Sequence, residues 1–594
     1  MRNSLFAKAL LIAGLLPFQS GAFAEAVPVE LSRTESGWQL LRGGEPYLVR
    51  GAGGTGSLEL LADAGGNSIR TWSADKLGPL LDEAHSLGLT VAVGIWLGHE
   101  RHGFDYGDAQ QVKDQLERAR EIVLRHKDHP AVLLWGIGNE MEGFAEGNNP
   151  AIWKAVNDIA AMIKDIDPAH PTMTVTAEIG GERVKYVHEH CPAIDIHGIN
   201  AYGGAASLPE RLMAAGATKP YILTEFGPAG PWEVEKNEWG AALEPTSTEK
   251  AELYRRNYEQ AILQAPDVAL GSYAFNWGFK MEATATWFGM FLDDGSRLAA
   301  IDTMTELWSD TIPGNRAPSV EPLKIDGAAT VKPSTRLTVS TVVADPDNDP
   351  VTARWILRAE SGDYTTGGDF RPMLPEIEGA VIESRSDRAK IRMPEQPGHY
   401  RLFLYVHDQQ GNAATANLPL RVEGEIQTRF PVVVYEDSFA GMPWAPSGWM
   451  GAIDDLTLDG DYAVDPQAGN ASIKIRYTGK FGWAGIAWQD PPNNWGDRDG
   501  GYDLSGAREL SLWARGAYGG EKIKIGIGLL GEDIAYPDSA ITSVDDIVLT
   551  HEWQNYRIRL NKKDLSSLKT GFVITVSGRA SPVTVFLDSI RFNR

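Results

Sequence analysis

Eight short apolar runs, each separated from the next by an amphipathic stretch, fill the first half of this 594-residue chain. The runs are YLVRGAG, SIRTWS, TVAVGIWL, VLLWGIGNE, TMTVTAE, DIHGINAY, YILTEFG and LGSYAFNW. Their length and composition are those of buried strands. Between them, KLGPLLDEAHSLG, DAQQVKDQLERAREIVLRH and PAIWKAVNDIAAMIKDID place apolar residues three and four apart, the spacing of a helix with one buried face. Eight such units in roughly 260 residues predict a closed (β/α)8 barrel, a TIM barrel. A doubly wound open sheet is the alternative. SRLAAIDTMTELW reads as the last helix, and VELSRTESGWQLLRGGEPY as a hairpin that plugs the bottom of the barrel.

The pattern changes after TIPGNRAPSV, a linker over residues 311–320 with Pro, Gly and Asn and no periodicity. RLTVSTVVADPDNDPVTARWILRA and GHYRLFLYVHDQQGNAATANLPLRV alternate apolar and polar residues between turn signals, which predicts an Ig-like β-sandwich ending near Val422. Asp345, Asp347 and Asp349 fit either a calcium loop or a solvated turn. From about residue 430 the chain is again rich in strands, from PVVVYEDSF to VTVFLDSIRF. Its tryptophans are Trp444, Trp449, Trp483, Trp488, Trp495, Trp513 and Trp553. Trp513 lies mid-strand and reads as core, whereas Trp483, Trp488 and Trp495 sit in a Gly/Asn/Asp-rich segment where an aromatic ring is placed to stack on a sugar. The expected organisation is therefore multidomain: an export signal over 1–24, a catalytic barrel over 25–312, the sandwich over 316–424 and a last β-domain over 430–594.

The export signal rests on Arg2 and Lys8, the apolar ALLIAGLL and the Ala22-Phe23-Ala24 cleavage pattern before Glu25, a membrane anchor being the alternative. The mature chain is expected to be secreted or periplasmic, without a membrane span. Cys191 is the only cysteine, so no intrachain disulfide forms, and it reads as a small buried residue. A formal charge of −24 disfavours nucleic acid and acidic polymers as partners.

In a barrel of this type the side chains at the C-terminal ends of the strands form the active site. Read strand by strand, those ends offer Arg70 and Trp72; Trp96, His99 and Glu100; Asn139 and Glu140; Glu178; Asn200 and Tyr202; Glu225; and Asn276 and Trp277. Glu140 and Glu225 suit a glycosidase pair, one carboxyl acting as general acid/base and the other attacking the anomeric carbon. Arg70 and Tyr202 are expected to hold Glu225 ionised, Asn139 to meet a sugar hydroxyl, Trp277 to form the floor of the sugar subsite, and Trp72, Trp96, His99 and Glu178 to line it. Trp232 and Trp239 lie in a long loop after the seventh strand, where they can shape a cleft. His99-Glu100-Arg101-His102 lacks the helical spacing of a zinc motif and reads as a loop that meets substrate or solvent.

WGIGNEMEG resembles the fourth-strand motif of clan A retaining glycoside hydrolases, in which Asn-Glu carries the acid/base, and YILTEFG resembles their seventh-strand nucleophile motif. GGNSIRTW, KPYILTEFG and TWFGMF are similar to segments of the family 2 catalytic barrel, and the barrel is also similar to that of β-1,3-glucanosyltransferases. The N-terminal sugar-binding sandwich usual in family 2 is not expected ahead of this barrel. YEDSF and FLDSIRF resemble the two ends of jelly-roll carbohydrate-binding modules, and that resemblance implies a structural calcium at Glu436 and Asp588. No cofactor is expected for catalysis. The resemblance implies a retaining β-glycoside hydrolase acting on a polysaccharide or oligosaccharide, a β-glucan first. A transglycosylase using the same pair is one alternative; a non-catalytic glycan-binding envelope protein is the other.

Overall fold

The computed structural model describes residues 26–594 except 144, 146, 361–372, 425–428, 440 and 481. The export signal lies outside the described residues. Eight parallel strands close into a barrel: β1 (Val49–Gly54), β2 (Ser68–Arg70), β3 (Thr90–Ile95), β4 (Val132–Asn139), β5 (Thr172–Ala177), β6 (Ile196–Asn200), β7 (Tyr221–Phe226) and β8 (Ala269–Trp277). They are the eight apolar runs of the sequence, in order, and β8 closes on β1. Buried on both faces, they carry apolar residues nearly throughout; in β4 only the last residue, Asn139, is not fully buried.

The helices between the strands bury one face each. Pro150–Ile166 buries Ile152, Val156, Ile159, Ala160 and Ile163. Ser247–Tyr258 starts at a capping box in which Thr246 and Glu249 satisfy each other's backbone N–H groups. The hairpin Val29–Thr34 with Gly37–Arg42 seals the opposite end from the site: Val29 and Leu40 pack among Val49, Leu133, Leu134, Ile222 and Leu270. At its turn, Gly37 has φ +125°, and a Cβ there would lie 2.3 Å from the backbone of Asp267. Only glycine lets the hairpin approach this closely.

After the barrel, Arg336–Ser340 and Arg388–Arg392 in one sheet face Thr352–Ala359, Gly398–His407 and Asn412–Val422 in the other. Val339 and Ile391 meet Trp355, Leu357, Leu402 and Leu404 in the core of this β-sandwich. It is joined to the barrel by backbone pairing of Arg297–Leu298 with Asn412 and Ala413. The chain ends in a second two-sheet β-domain whose core includes Trp444, Ile486, Trp488, Phe572 and Leu587. Trp488 is fully buried and is not a stacking surface, because strand alternation turns Ile486 and Trp488 inward. Trp483 and Trp495, at 47% and 36% exposure, face outward. No helix among the described residues is long and apolar enough to cross a membrane.

Inside the barrel wall, a chain of neutral imidazoles sets an acid limit on stability. Thr218 N–H donates to His188 Nδ1, so His188 Nε2 carries the proton and donates to His197 Nδ1 at 3.1 Å. His197 Nε2 then donates to Thr176 Oγ1 at 2.9 Å. Burial, with Lys219 adding to it, pushes His188 down to about 4 from its ordinary 6.5, and burial next to His188 pushes His197 well down too. Because the unfolded chain takes up protons first, stability is full above about 6.5 and is lost as pH falls from there towards 4. The unfolding temperature is expected to drop over that window, and His188→Gln to flatten the slope; an unchanged slope would show that the pair is not the titrating element.

Candidate active site

All strands run the same way, so their C-terminal ends meet at one mouth. Arg70 ends β2, Glu225 is the penultimate residue of β7, and both are buried, at 3% and 5% exposure. Arg70 Nη1 donates to Glu225 Oε1 at 2.9 Å. Trp72 Nε1 donates to the same oxygen at 2.8 Å, and Tyr202 Oη donates to Oε2 at 2.6 Å. Every one of these neighbours is a donor, so the arrangement suits an ionised carboxylate. Arg70 is fixed in turn: Nη1 also donates to Thr224 O, Nη2 donates to Asn139 Oδ1 at 2.6 Å, and its guanidinium lies 5.0 Å over the Trp72 ring.

Glu140 has a different environment. Its Oε1 accepts one bond, from Asn200 Nδ2 at 2.7 Å. Desolvation, then the negative charge of Glu225, push its pKa up to about 8, against the pull of the Asn200 bond. At neutral pH its carboxyl is therefore protonated. Asn200 is oriented by Thr224, whose hydroxyl donates to Oδ1 at 2.8 Å. Glu140 and Glu178 both sit in the left-handed region, at φ +50° and +57°. For a residue with a Cβ this costs about 1–2 kcal/mol, a strain that gathers at functional sites. Behind Glu140, Glu142 Oε1 accepts from Ala177 N at 2.6 Å and Arg183 Nε at 3.0 Å, tying the β4 and β5 loops together.

The mouth is rimmed by aromatics. Trp96, at 46% exposure, lies 5.0 Å from the His99 ring, and burial next to Arg101 and His102 pushes His99 down to about 4, leaving it neutral. Across the barrel, Trp232 is 50% exposed and meets Tyr202 edge-on at 5.9 Å and Phe288 at 6.2 Å. Between them Glu178 is held by Arg211 through two hydrogen bonds of 2.6 and 3.2 Å.

The sequence-predicted residues thus separate into groups. Arg70, Trp72, Asn139, Glu140, Tyr202 and Glu225 converge on one point; Trp96, His99, Glu178 and Trp232 stand around it. Tyr202 takes the other Glu225 oxygen from the one that Arg70 holds. Asn139 Oδ1 is engaged by Arg70 and Asn200, so what it can offer a sugar hydroxyl is its amide Nδ2. Trp277 lies elsewhere. It is fully buried, donates to Ser57 O at 2.9 Å and packs on Phe291 and Trp308, so it cannot be a subsite floor. The reason is a register irregularity between Phe275 and Trp277 that turns Trp277 towards the helices. Phe275 takes the inward place, 5.8 Å from the Trp72 ring. Asn200, at the end of β6, holds Glu140, a role that the strand-end position alone did not reveal.

The remaining candidate residues are placed as follows. Glu436 is exposed, with Arg591 at 3.8 Å, while buried Asp588 accepts from the backbone N–H groups of Gln467 and Ala468. Asp345 caps its own turn through the N–H groups of Asp347 and Asp349, and Asp347 pairs with Arg316. Among the described residues, no group of three or more His, Cys, Asp or Glu side chains is placed to hold a metal ion. Cys191 is buried, and burial raises its thiol to about 12.

Residues 73–256 match the family described as glycosyl hydrolases family 2, TIM barrel domain. The match takes in both Glu140 and Glu225 and covers under a third of the chain. A beta-glucuronidase of Streptococcus agalactiae is 29% identical over 130 residues, 20% of this chain and 21% of that protein. The curated relatives that the chain matches are spanned over only 14% to 38% of their own length. Among solved structures, a beta-D-glucuronidase of Dictyoglomus thermophilum is similar at 19% identity and a TM-score of 0.37, over 48% of this chain and 54% of that one. An endo-beta-1,4-mannanase of Thermotoga petrophila is similar at 12% identity and a TM-score of 0.33, over 65% and 99%.

Truncating the two tryptophans separates core from rim. Trp277→Ala is expected to cost about 3–5 kcal/mol of stability and to leave KM of the folded enzyme unchanged. Trp232→Ala is expected to leave the unfolding temperature in place and, on the function proposed below, to raise KM for a glycan. Denaturation curves and kinetics on the same preparations check both, and a reversed pattern would return Trp277 to the subsite.

Proposed function

We propose that this protein is a retaining β-glycoside hydrolase with Glu225 as nucleophile and Glu140 as general acid/base. The observation that supports this most is the asymmetry of the pair. Glu225 is surrounded by three donors, and Glu140 is desolvated, raised to about 8 and bound by one amide. In the first step Glu140 donates its proton to the leaving glycosidic oxygen while Glu225 attacks the anomeric carbon. In the second, the Glu140 carboxylate takes a proton from water, which attacks the same carbon and releases Glu225. Arg70, Trp72 and Tyr202 hold the nucleophile in place and keep its second oxygen from wandering. The barrel's similarity to glycosyl hydrolases family 2 supports the same reading.

A neutral glycan fits this mouth better than a uronic acid. Three cations around it are ion-paired: Arg70 with Glu225, Arg211 with Glu178, and Lys280 with Glu282 at 2.9 Å. A sugar carboxylate drawn to any of the three would compete with the carboxylate already there. Trp96 and Trp232 stand on opposite sides of the mouth, after β3 and β7, and two exposed rings suit a substrate longer than one sugar. A β-glucan is our first assignment within that class. Export, read from the N-terminal sequence, would bring the enzyme to such a polymer. The outward Trp483 and Trp495 of the last domain support a glycan-binding role there.

Because Glu140 must arrive protonated, kcat/KM is expected to fall as pH rises through about 8, with one proton lost on that limb. Glu140→Gln should remove the limb, and should spare aryl glycosides with good leaving groups more than natural glycans. Glu225→Ala should abolish turnover of both. A pH profile flat to pH 10, or an active Glu225→Ala, would contradict the assignment. On a panel of 4-nitrophenyl β-glycosides, neutral sugars are expected to exceed the glucuronide at least tenfold in kcat/KM, about 1.4 kcal/mol of transition-state binding; preference for the glucuronide would overturn the neutral-glycan reading.

A further inference from the structure

The loop between β7 and the helix Ser247–Tyr258 carries Trp232, and it is held from outside the barrel. Arg401, on the sandwich strand Gly398–His407, is 1% exposed and donates from Nη2 to Ala242 O of this loop at 2.9 Å. The rest of its guanidinium is fixed by the sandwich itself: Nε donates to both oxygens of buried Glu360, at 3.0 and 2.9 Å, and Nη1 to Asn417 Oδ1 at 2.6 Å. Arg401 is thus a rigid fork with one prong in the barrel's loop. Two further contacts repeat the connection: the Trp239 ring stacks on His399 at 6.1 Å and 23°, and Thr330 Oγ1 donates to Glu238 Oε1 at 3.1 Å.

Beside the Arg401 prong lies a buried polar cluster. Glu244 accepts from Lys250 Nζ at 2.5 Å, Thr284 Oγ1 at 2.6 Å and Thr286 Oγ1 at 2.8 Å, so it binds the loops after β7 and β8 to each other. The β8 loop then reaches the site: Trp287 Nε1 donates to Ala229 O at 3.0 Å, and Phe288 packs on Tyr202 at 5.1 Å and on Trp232. Tyr202 holds Glu225. The contacts run without a gap from the sandwich to the rim beside the nucleophile.

We propose that the first sandwich is a working part of the substrate cleft, and that Arg401 is a positioning residue setting the Trp232 wall of a subsite for a second sugar ring. This rests on the glycosidase reading above. A spacer would need no buried arginine aimed into a catalytic loop; a wall that must meet a sugar face to within an ångström does. Lysine at 401 keeps a charge for Glu360 and loses the prong to Ala242.

The test compares 4-nitrophenyl β-D-glucopyranoside, with one sugar ring, and a β-linked glucopentaose in wild type, Arg401→Lys, Trp232→Ala and the double variant. Arg401→Lys is expected to raise KM for the pentaose about tenfold, and to change kcat/KM for the nitrophenyl glucoside by less than threefold. In the Trp232→Ala background, the same change should add nothing further on the pentaose, because both act through one ring. His399→Ala, which removes the ring under Trp239 and leaves the buried pair intact, should give a smaller split of the same kind even if Arg401→Lys folds poorly. Equal losses on both substrates, no loss on either, or losses that multiply in the double variant would each overturn the role of Arg401. Wild-type enzyme inactive on both substrates would instead overturn the β-glucan assignment beneath it.

Discussion

The buried ion pair between Arg70 and Glu225 is the contact on which the site is built. A carboxylate taken out of water is costly unless charge and hydrogen bonds replace its hydration. Here the replacement comes from three side chains at the ends of two strands: Arg70 from β2, Trp72 just beyond it, and Tyr202 beyond β6. Only a closed barrel brings the ends of β2, β6 and β7 to one point, so the fold and the charge on Glu225 depend on each other. The fixed charge of Glu225 then contributes to raising Glu140. Burial of Glu140 does the larger part, and the neighbouring charge adds to it.

Much of this was legible in the sequence, for a definite reason. Parallel strands buried on both faces must be apolar to their ends, so a charged residue closing such a run stands out. Arg70, Glu140 and Glu225 were found that way, and the expectation that Arg70 and Tyr202 flank Glu225 matches the contacts in the structure. Parity was harder. Along β8, Tyr273 and Phe275 face the barrel axis, and simple alternation puts Trp277 there as well. The irregularity after Phe275 breaks that count, and nothing in LGSYAFNW announces it. Trp488 illustrates the same difficulty: it shares a segment with Trp483 and Trp495, but alternation along its strand makes it core. Loops were least legible. That Trp232 stands half-exposed beside Tyr202, and that an arginine about 170 residues further along the chain holds its loop, follows from how two domains pack.

Domain packing also changes how the middle of the chain is to be seen. The sandwich is joined to the barrel by strand pairing at Arg297–Leu298, by Ser247 Oγ accepting from Thr415 N at 2.9 Å, and by the Arg401 fork. These contacts all fall near the loops after β7 and β8, on the side of the mouth that carries Glu225. The opposite rim, with Trp96 and His99, is built by the barrel alone. The cleft therefore has one wall internal to the barrel and one braced by its neighbour.

The central claim is that Glu225 becomes covalently bonded to the sugar. It is tested most directly by incubating the enzyme with an activated 2-deoxy-2-fluoro-β-glycoside of the sugar that it turns over, then measuring intact mass and mapping the modified peptide. The account predicts one added glycosyl group, carried by the peptide containing YILTEFG on Glu225, with activity lost in step. A label on Glu140 or on another residue, or an unmodified enzyme that is nonetheless active, would contradict it.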